Sequence, residues 1–181
     1  MTRKTRSRKK VGAKKVMRKT GKAREIHCMY IPVEPDTLLL PTSTMAEVID
    51  YVEPTPMESS PDWLLGQVEW ESRQVPVFSF GDLINGSDVG EIPPQSKIMI
   101  LKSLSSSAKM PYLGLLLDGL PRPVIVSEND LVETGDEKKS MGAYRSVTVD
   151  EQDAIVPDLD RLTHLVSHAT FGALPITQLD D

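Results

Sequence analysis

Apolar positions fall in short runs along most of the chain: Ile26–Ile31, Leu38–Leu40, Met45–Val52, Leu64–Trp70, Val75–Phe80, Lys97–Leu104, Tyr112–Leu117, Val124–Val126 and Arg145–Val149. Turn formers separate nearly all of them: Pro35-Asp36, Pro41, the stretch Pro54–Pro61, Asn85-Gly86, Pro93-Pro94, the cluster Ser105–Ser107, Asp118-Gly119 and Gly135. Many short strands punctuated by Pro, Gly and Ser are the pattern of a β-barrel or sandwich. Fourteen prolines argue against long helices, because an interior proline removes a helical hydrogen bond. Residues 43–50 fit strand and helix equally by period. Asp158–Ala169 fits a helix. There Leu159, Leu162, Leu165, Val166 and Ala169 form one stripe, Pro157 precedes it, Asp158 is placed to cap it and Gly172 follows. The pattern predicts an all-β body and one C-terminal amphipathic helix over 158–169.

The stretch Asn85–Gln95 loses its apolar groups and holds two Gly and two Pro. It is the expected seam between two lobes, with lobe one over about 26–86, a linker over 87–95 and lobe two over about 96–157. The halves share a rhythm of strands but no visible residue-level repeat.

Charge adds a division that hydropathy does not show. The net charge of −5 combines residues 1–24, with twelve Lys or Arg and no acid, and a remainder with nine bases and all 26 acids, a charge of −17. Residues 1–24 have too few large apolar groups to offset ordering entropy and read as a disordered basic arm. It is a candidate for contact with nucleic acid or an anionic membrane. The plainer readings are screening of the acidic body, or an extension upstream of a start at Met17 or Met29. Residues 171–181 read as a tail. No run of about 18 apolar residues is present to span a bilayer, and no apolar core of a secretory signal follows the charged N-terminus. A lone cysteine, Cys28, fits a reducing compartment, so a cytoplasmic location is expected.

Candidate chemistry is sparse. His164 and His168 stand four apart on the expected helix, a metal-binding spacing, but opposite its apolar stripe and without a zincin glutamate. His27 and Cys28 lie in a strand run, where packing is the ordinary role. No Gly-x-Ser-x-Gly elbow and no phosphate-cradling glycine loop is present. The expectation is a protein that is not an enzyme, with no catalytic residue, metal, cofactor or small-molecule substrate. Eight methionines fit either core packing or an adaptable binding surface.

Six blocks then carry a resemblance. They are Leu40–Ile49 (LPTSTMAEVI), Pro61–Val68 (PDWLLGQV), Gln74–Phe80 (QVPVFSF), Lys97–Leu101 (KIMIL), Leu113–Leu120 (LGLLLDGL) and Ala154–Leu162 (AIVPDLDRL). In this order they resemble the CheW-like family, and most of all its ChpC-type members from the chemosensory systems of type IV pili and twitching. The resemblance implies two five-stranded SH3-like barrels with a hydrophobic groove between them. It also implies a non-catalytic adaptor whose partners are the regulatory domain of a CheA-type histidine kinase and the cytoplasmic tips of chemoreceptors. Contact with a membrane is then only indirect, through receptors, and nucleic acid is not an expected partner. Met45, Glu47, Val48, Glu71, Arg73 and Val75 are the expected partner-binding residues: Glu47, Glu71 and Arg73 as polar groups at the interface, and Met45, Val48 and Val75, with Val68, as groove or core positions.

The chain departs from the family where an Arg-Gly pair usually precedes the VPV strand: Glu71-Ser72 stands there. The family arginine pairs with the glutamate at the position of Glu47, and Glu71 would repel it. Either Arg73, which shares a strand face with Glu71 if the strand is unbroken, takes over the pairing, or Glu47 and Glu71 jointly recruit a basic partner group. Two other functions stay open: a CheW-like modulator without a kinase, and a nucleic-acid-associated protein working through its arm.

Overall fold

The computed structural model describes residues 24–86, 90–103, 110–127, 129–133 and 143–172. The expected arm, apart from Arg24, lies outside them, as do 87–89 of the expected linker, the Ser105–Ser107 cluster, Gly135 and the tail beyond Gly172.

Among the described residues, eleven strands form two sheets. The first joins β1 (Glu25–Val33), β2 (Asp36–Pro41), β8 (Arg122–Ser127), β9 (Val132–Glu133), β10 (Ala143–Val149) and β11 (Gln152–Pro157) in the order β8-β1-β2-β11-β10-β9. The second joins β3 (Met45–Asp50), β4 (Leu64–Trp70), β5 (Arg73–Phe78), β6 (Lys97–Lys102) and β7 (Tyr112–Leu117) in the order β3-β6-β7-β5-β4. Each sheet curls into a barrel-like lobe, A for the first and B for the second. The ambiguous segment resolves into a 3-10 turn, Thr42–Thr44, followed by β3.

Three apolar cores explain the two textures of the strands. Cys28, Tyr30, Leu39, Val126, Val147, Val149 and Ala154 fill lobe A. Val68, Val75, Val77, Ile98 and Ile100 fill lobe B. A larger core between the lobes takes Ile31, Val33, Leu38, Leu40, Phe78, Met99, Leu101, Leu113, Leu115, Leu117 and others. Strands β1, β2, β6 and β7 have one face in a lobe and the other between lobes, so they read as continuous apolar runs. Strand β3 lies outside, with Ala46, Glu47 and Val48 exposed.

Helix α2 (Leu159–Phe171) closes the central core with Leu162 and Val166. The Asp158 carboxylate accepts the Arg161 N–H at 2.9 Å, the capping the sequence predicts. A second helix, α1 (Phe80–Asn85), was not expected: β5 stops at Phe78, and Ser79 caps a single helical turn and a half that ends in left-handed Gly86.

The expected division into 26–86 and 96–157 does not match the strand pairing. Lobe B is built from β3–β7, so β6 and β7 beyond the supposed seam pair with β3–β5 before it. Lobe A joins the two ends of the described chain, through a parallel contact of β2 with β11 at Leu38 and Ile155. A polar, Pro/Gly-rich loop connects strands inside one lobe as readily as between two. Its composition carries no information on pairing.

A repeat is nevertheless present. Both lobes show the same signs of pairing along the five matched strands, including one parallel pair each, β2 with β11 and β7 with β5. Residues 64–85 and 143–164 match at an offset of 79. In each, one residue is bulged out (Leu65, Tyr144), a two-residue turn follows (Glu71-Ser72, Asp150-Glu151) and a helix is capped (Ser79, Asp158). Only Val68/Val147, Val77/Val156 and Leu83/Leu162 are identical among these 22 pairs.

Candidate partner-binding surface

The hairpin of β4 and β5 has Trp70 opposite Arg73, so Glu71 and Ser72 form the whole turn. Both take positive φ, 46° and 59°, as a type I′ turn requires. Non-glycine residues adopt this conformation at a cost of about 1–2 kcal/mol each. Glu71 therefore does not share a strand face with Arg73, contrary to expectation, because the strand ends at Trp70.

Glu47 sits on β3 opposite Ile100. Its Oε2 accepts from Trp70 Nε1 at 2.7 Å, and the indole meets the Tyr112 ring edge-on, centroids 4.8 Å apart at 71°. The indole, not the Arg73 guanidinium, is the partner of the Glu47 carboxylate. Trp70 and Tyr112 are half-buried against the lobe B core and cap one end of the barrel. Both were missed as functional candidates. The signal available was an indole among acids, Glu69-Trp70-Glu71.

The expected site residues separate into three groups. Glu47, Val48, Glu71 and Arg73 are exposed around the hairpin and β3. Met45 is half-buried and packs on the central core with Met29, Met57 and Trp63. Three methionines and an indole thus border the junction of the lobes, while Met99 and Met110 are inside it. Val75 is 1% exposed in the lobe B interior and cannot touch a partner, and Val68 is core as well. Val75 begins a run of four buried residues, Val75–Phe78, that follows the exposed Arg73 and Gln74 in β5.

Lobe A bears the opposite charge at the matching place. Arg122 lies opposite Tyr30 as Glu47 lies opposite Ile100. Its guanidinium stands 5.9 Å over the Tyr30 ring and donates to Gln152 at 3.1 Å. The Tyr30 hydroxyl donates to the Val149 carbonyl at 2.8 Å, and burial pushes its pKa up.

Elsewhere titratable groups are scattered. His27, His164 and His168 are exposed, and no metal-binding cluster exists among the described residues. Burial raises the Cys28 thiol. Burial also raises the Asp118 carboxyl, with Glu34 and Asp82 adding to the shift and the Glu34 N–H, at 2.7 Å, opposing it.

Residues 27–167 match the family model described as the CheW-like domain. That is well over half of the chain. The chain belongs to the CheW-like family. A solved structure described as scaffolding protein TtCheW from Thermoanaerobacter tengcongensis has a TM-score of 0.63 to this chain at 16% identity. The match covers 75% of this chain and 90% of that one. The fold of this CheW-like chain is thus that of two SH3-like barrels with a C-terminal helix. No curated protein matches it. No described helix is long and apolar enough to cross a membrane.

For a CheW-like chain, the Glu71-Ser72 departure now has a local meaning. The pair forms a turn without glycine in the left-handed region, and the Glu47 carboxylate is held by the Trp70 indole. The Glu71 carboxylate is left exposed at the tip.

Proposed function

We propose that this chain is a non-catalytic cytoplasmic adaptor. It couples chemoreceptor tips to the regulatory domain of a CheA-type kinase, in a ChpC-type system governing type IV pili and twitching. The observation that carries the reading is the Glu47–Trp70–Tyr112 cluster, an exposed carboxylate on two half-buried rings beside a charged, exposed hairpin on a CheW-like fold. An adaptor acts by holding two partners at once and raising their effective concentration. Lobe ends serve for end-on contact with similar barrels of the kinase. The methionine-lined junction near Met45 takes an apolar receptor helix, which Met side chains accommodate by changing rotamer. Glu47, Val48, Glu71 and Arg73 supply the polar and apolar contacts around the hairpin, with Trp70 as the anchor.

The test is a pull-down of the chain with the cognate kinase's C-terminal regulatory domain, alone and with receptor tips. Expected results are a ternary complex and a loss of at least tenfold in kinase or receptor affinity for Trp70→Ala. Binding of neither partner would overturn the reading. Persistence of signalling in a strain lacking the chain, with pili unaffected, would overturn the pilus assignment.

A further inference from the structure

The lobes differ at the end of the barrel away from the hairpin turns. In lobe B, Tyr51 packs against the core there, Pro54 and Ser96 are buried, and Tyr51 N–H donates to the Ser96 carbonyl at 3.2 Å. In lobe A, Ile26 occupies the position matching Ser96. It lies on the same strand face as Cys28 and Tyr30, which point into the barrel. Yet Ile26 is 53% exposed, against 4% for Ser96, and Leu131 is 36% exposed. Arg24, Ile26, Val126, Ser127 and Leu131 line an open apolar mouth of about 330 Å³. Glu25 and Asp130, the chain neighbours of Arg24 and Leu131, are exposed, and Asp130 accepts from the hydroxyl of Ser127 in the wall.

We propose that this mouth is the docking site of the chain's own basic segment 14–19, Lys14-Lys15-Val16-Met17-Arg18-Lys19, which lies outside the described residues. Two observations name this occupant. The chain runs out of the mouth itself: Arg24 is one of its walls, and six residues lie between Met17 and Arg24, a reach of up to about 24 Å. Charge and apolar content are also complementary. Val16 and Met17 are two adjacent apolar groups flanked on both sides by pairs of cations, against an apolar floor rimmed by acids. Val16 and Met17 cover the exposed Ile26 and Leu131 side chains, and the lysines and arginine meet the carboxylates. Docking keeps the arm on the acidic body, off other anionic surfaces.

The test uses the full chain and amide hydrogen exchange of 25–27 and 129–133, with the rate of tryptic cleavage after Lys15 and Arg18 as a second readout. The double variant Val16→Ser, Met17→Ser, which puts no acid beside the cleaved bonds, should raise both rates by at least threefold, and Leu131→Asp should raise cleavage of the arm likewise. The double variant lies outside the folded body, so it decides the matter even if Leu131→Asp fails to fold. Exchange and cleavage unchanged in the double variant would overturn the proposal, leaving the mouth open to another molecule. Protection that falls on dilution would also overturn it, because the arm would then be docking on a second copy.

Discussion

Lobes A and B solve the same topological problem with different materials. Both align five strands with one parallel pair, bulge one strand at the same place, turn through two non-glycine residues and cap a helix after the last strand of the hairpin. Lobe B uses a tight backbone contact: Gly66, at φ 135°, lets Thr55 pair with Gln67, and an added Cβ would stand 2.2 Å from the Thr55 carbonyl oxygen. Lobe A closes through β9, and the residue matching Gly66 is Arg145, paired with Glu133. The difference shows that closure of the barrel is what the fold demands. A glycine contact and a strand pair are two routes to it.

The largest effect should come from neither lobe but from what they share. Phe78 is fully buried between them, and Phe78→Ala should cost about 3–5 kcal/mol in urea unfolding. Val149→Ala, inside lobe A, removes fewer atoms and should cost less. An equal loss would mean that the lobes unfold as separate units.

Next comes the closure itself. Gly66→Ala should cost about 1–3 kcal/mol from the backbone conformation alone, plus the clash with Thr55. Arg145→Ala should stay within about 0.5–1 kcal/mol, because an exposed ion pair contributes little. The two thermal midpoints should therefore diverge, and their agreement would remove the contrast.

The hairpins should behave alike. Replacing Glu71-Ser72 or Asp150-Glu151 by Asn-Gly should stabilise each lobe by about 1 kcal/mol, since Asn and Gly accept the positive φ values of a type I′ turn. Only the change at Glu71 should weaken partner binding, measured by titration calorimetry, if the lobe B hairpin is the docking tip.

The smallest effect concerns pH. Asp118 has a raised folded pKa, mainly through burial, so the folded state holds its proton longer than the unfolded chain. Stability should fall as pH rises from the ordinary carboxylate value through the folded value, and Asp118→Asn should flatten that fall. Asp50 shows the reverse. Its hydrogen bond from Lys97 lowers its pKa, so its contribution is lost as pH falls. Urea midpoints between about pH 3 and 7 separate the two.

Local patterning and family resemblance made much of this legible. Strand runs, the Asp158 cap, the α2 stripe and the family's six blocks each lie within a few consecutive residues, where period and turn chemistry act. The Glu71-Ser72 departure was also visible, although its consequence was not. Trp70 bonding to Glu47 depends on β3 meeting β4 through barrel closure, 23 residues apart. The burial of Val75 depends on β5 being paired on both edges, by β4 and β7, with both its faces covered.

The chain by itself determined that the body is β, that a helix ends it, that charge divides it at about residue 24, and to which family it belongs. Tertiary structure alone decided the interleaving of the lobes, the repeat at an offset of 79 and the pairing of aromatic and acid at the lobe B end. The reason is physical: a barrel asks each position for burial and backbone geometry, not for a given side chain. Two copies can therefore share a bulge, a hairpin turn and a helix cap while keeping three residues in common among 22.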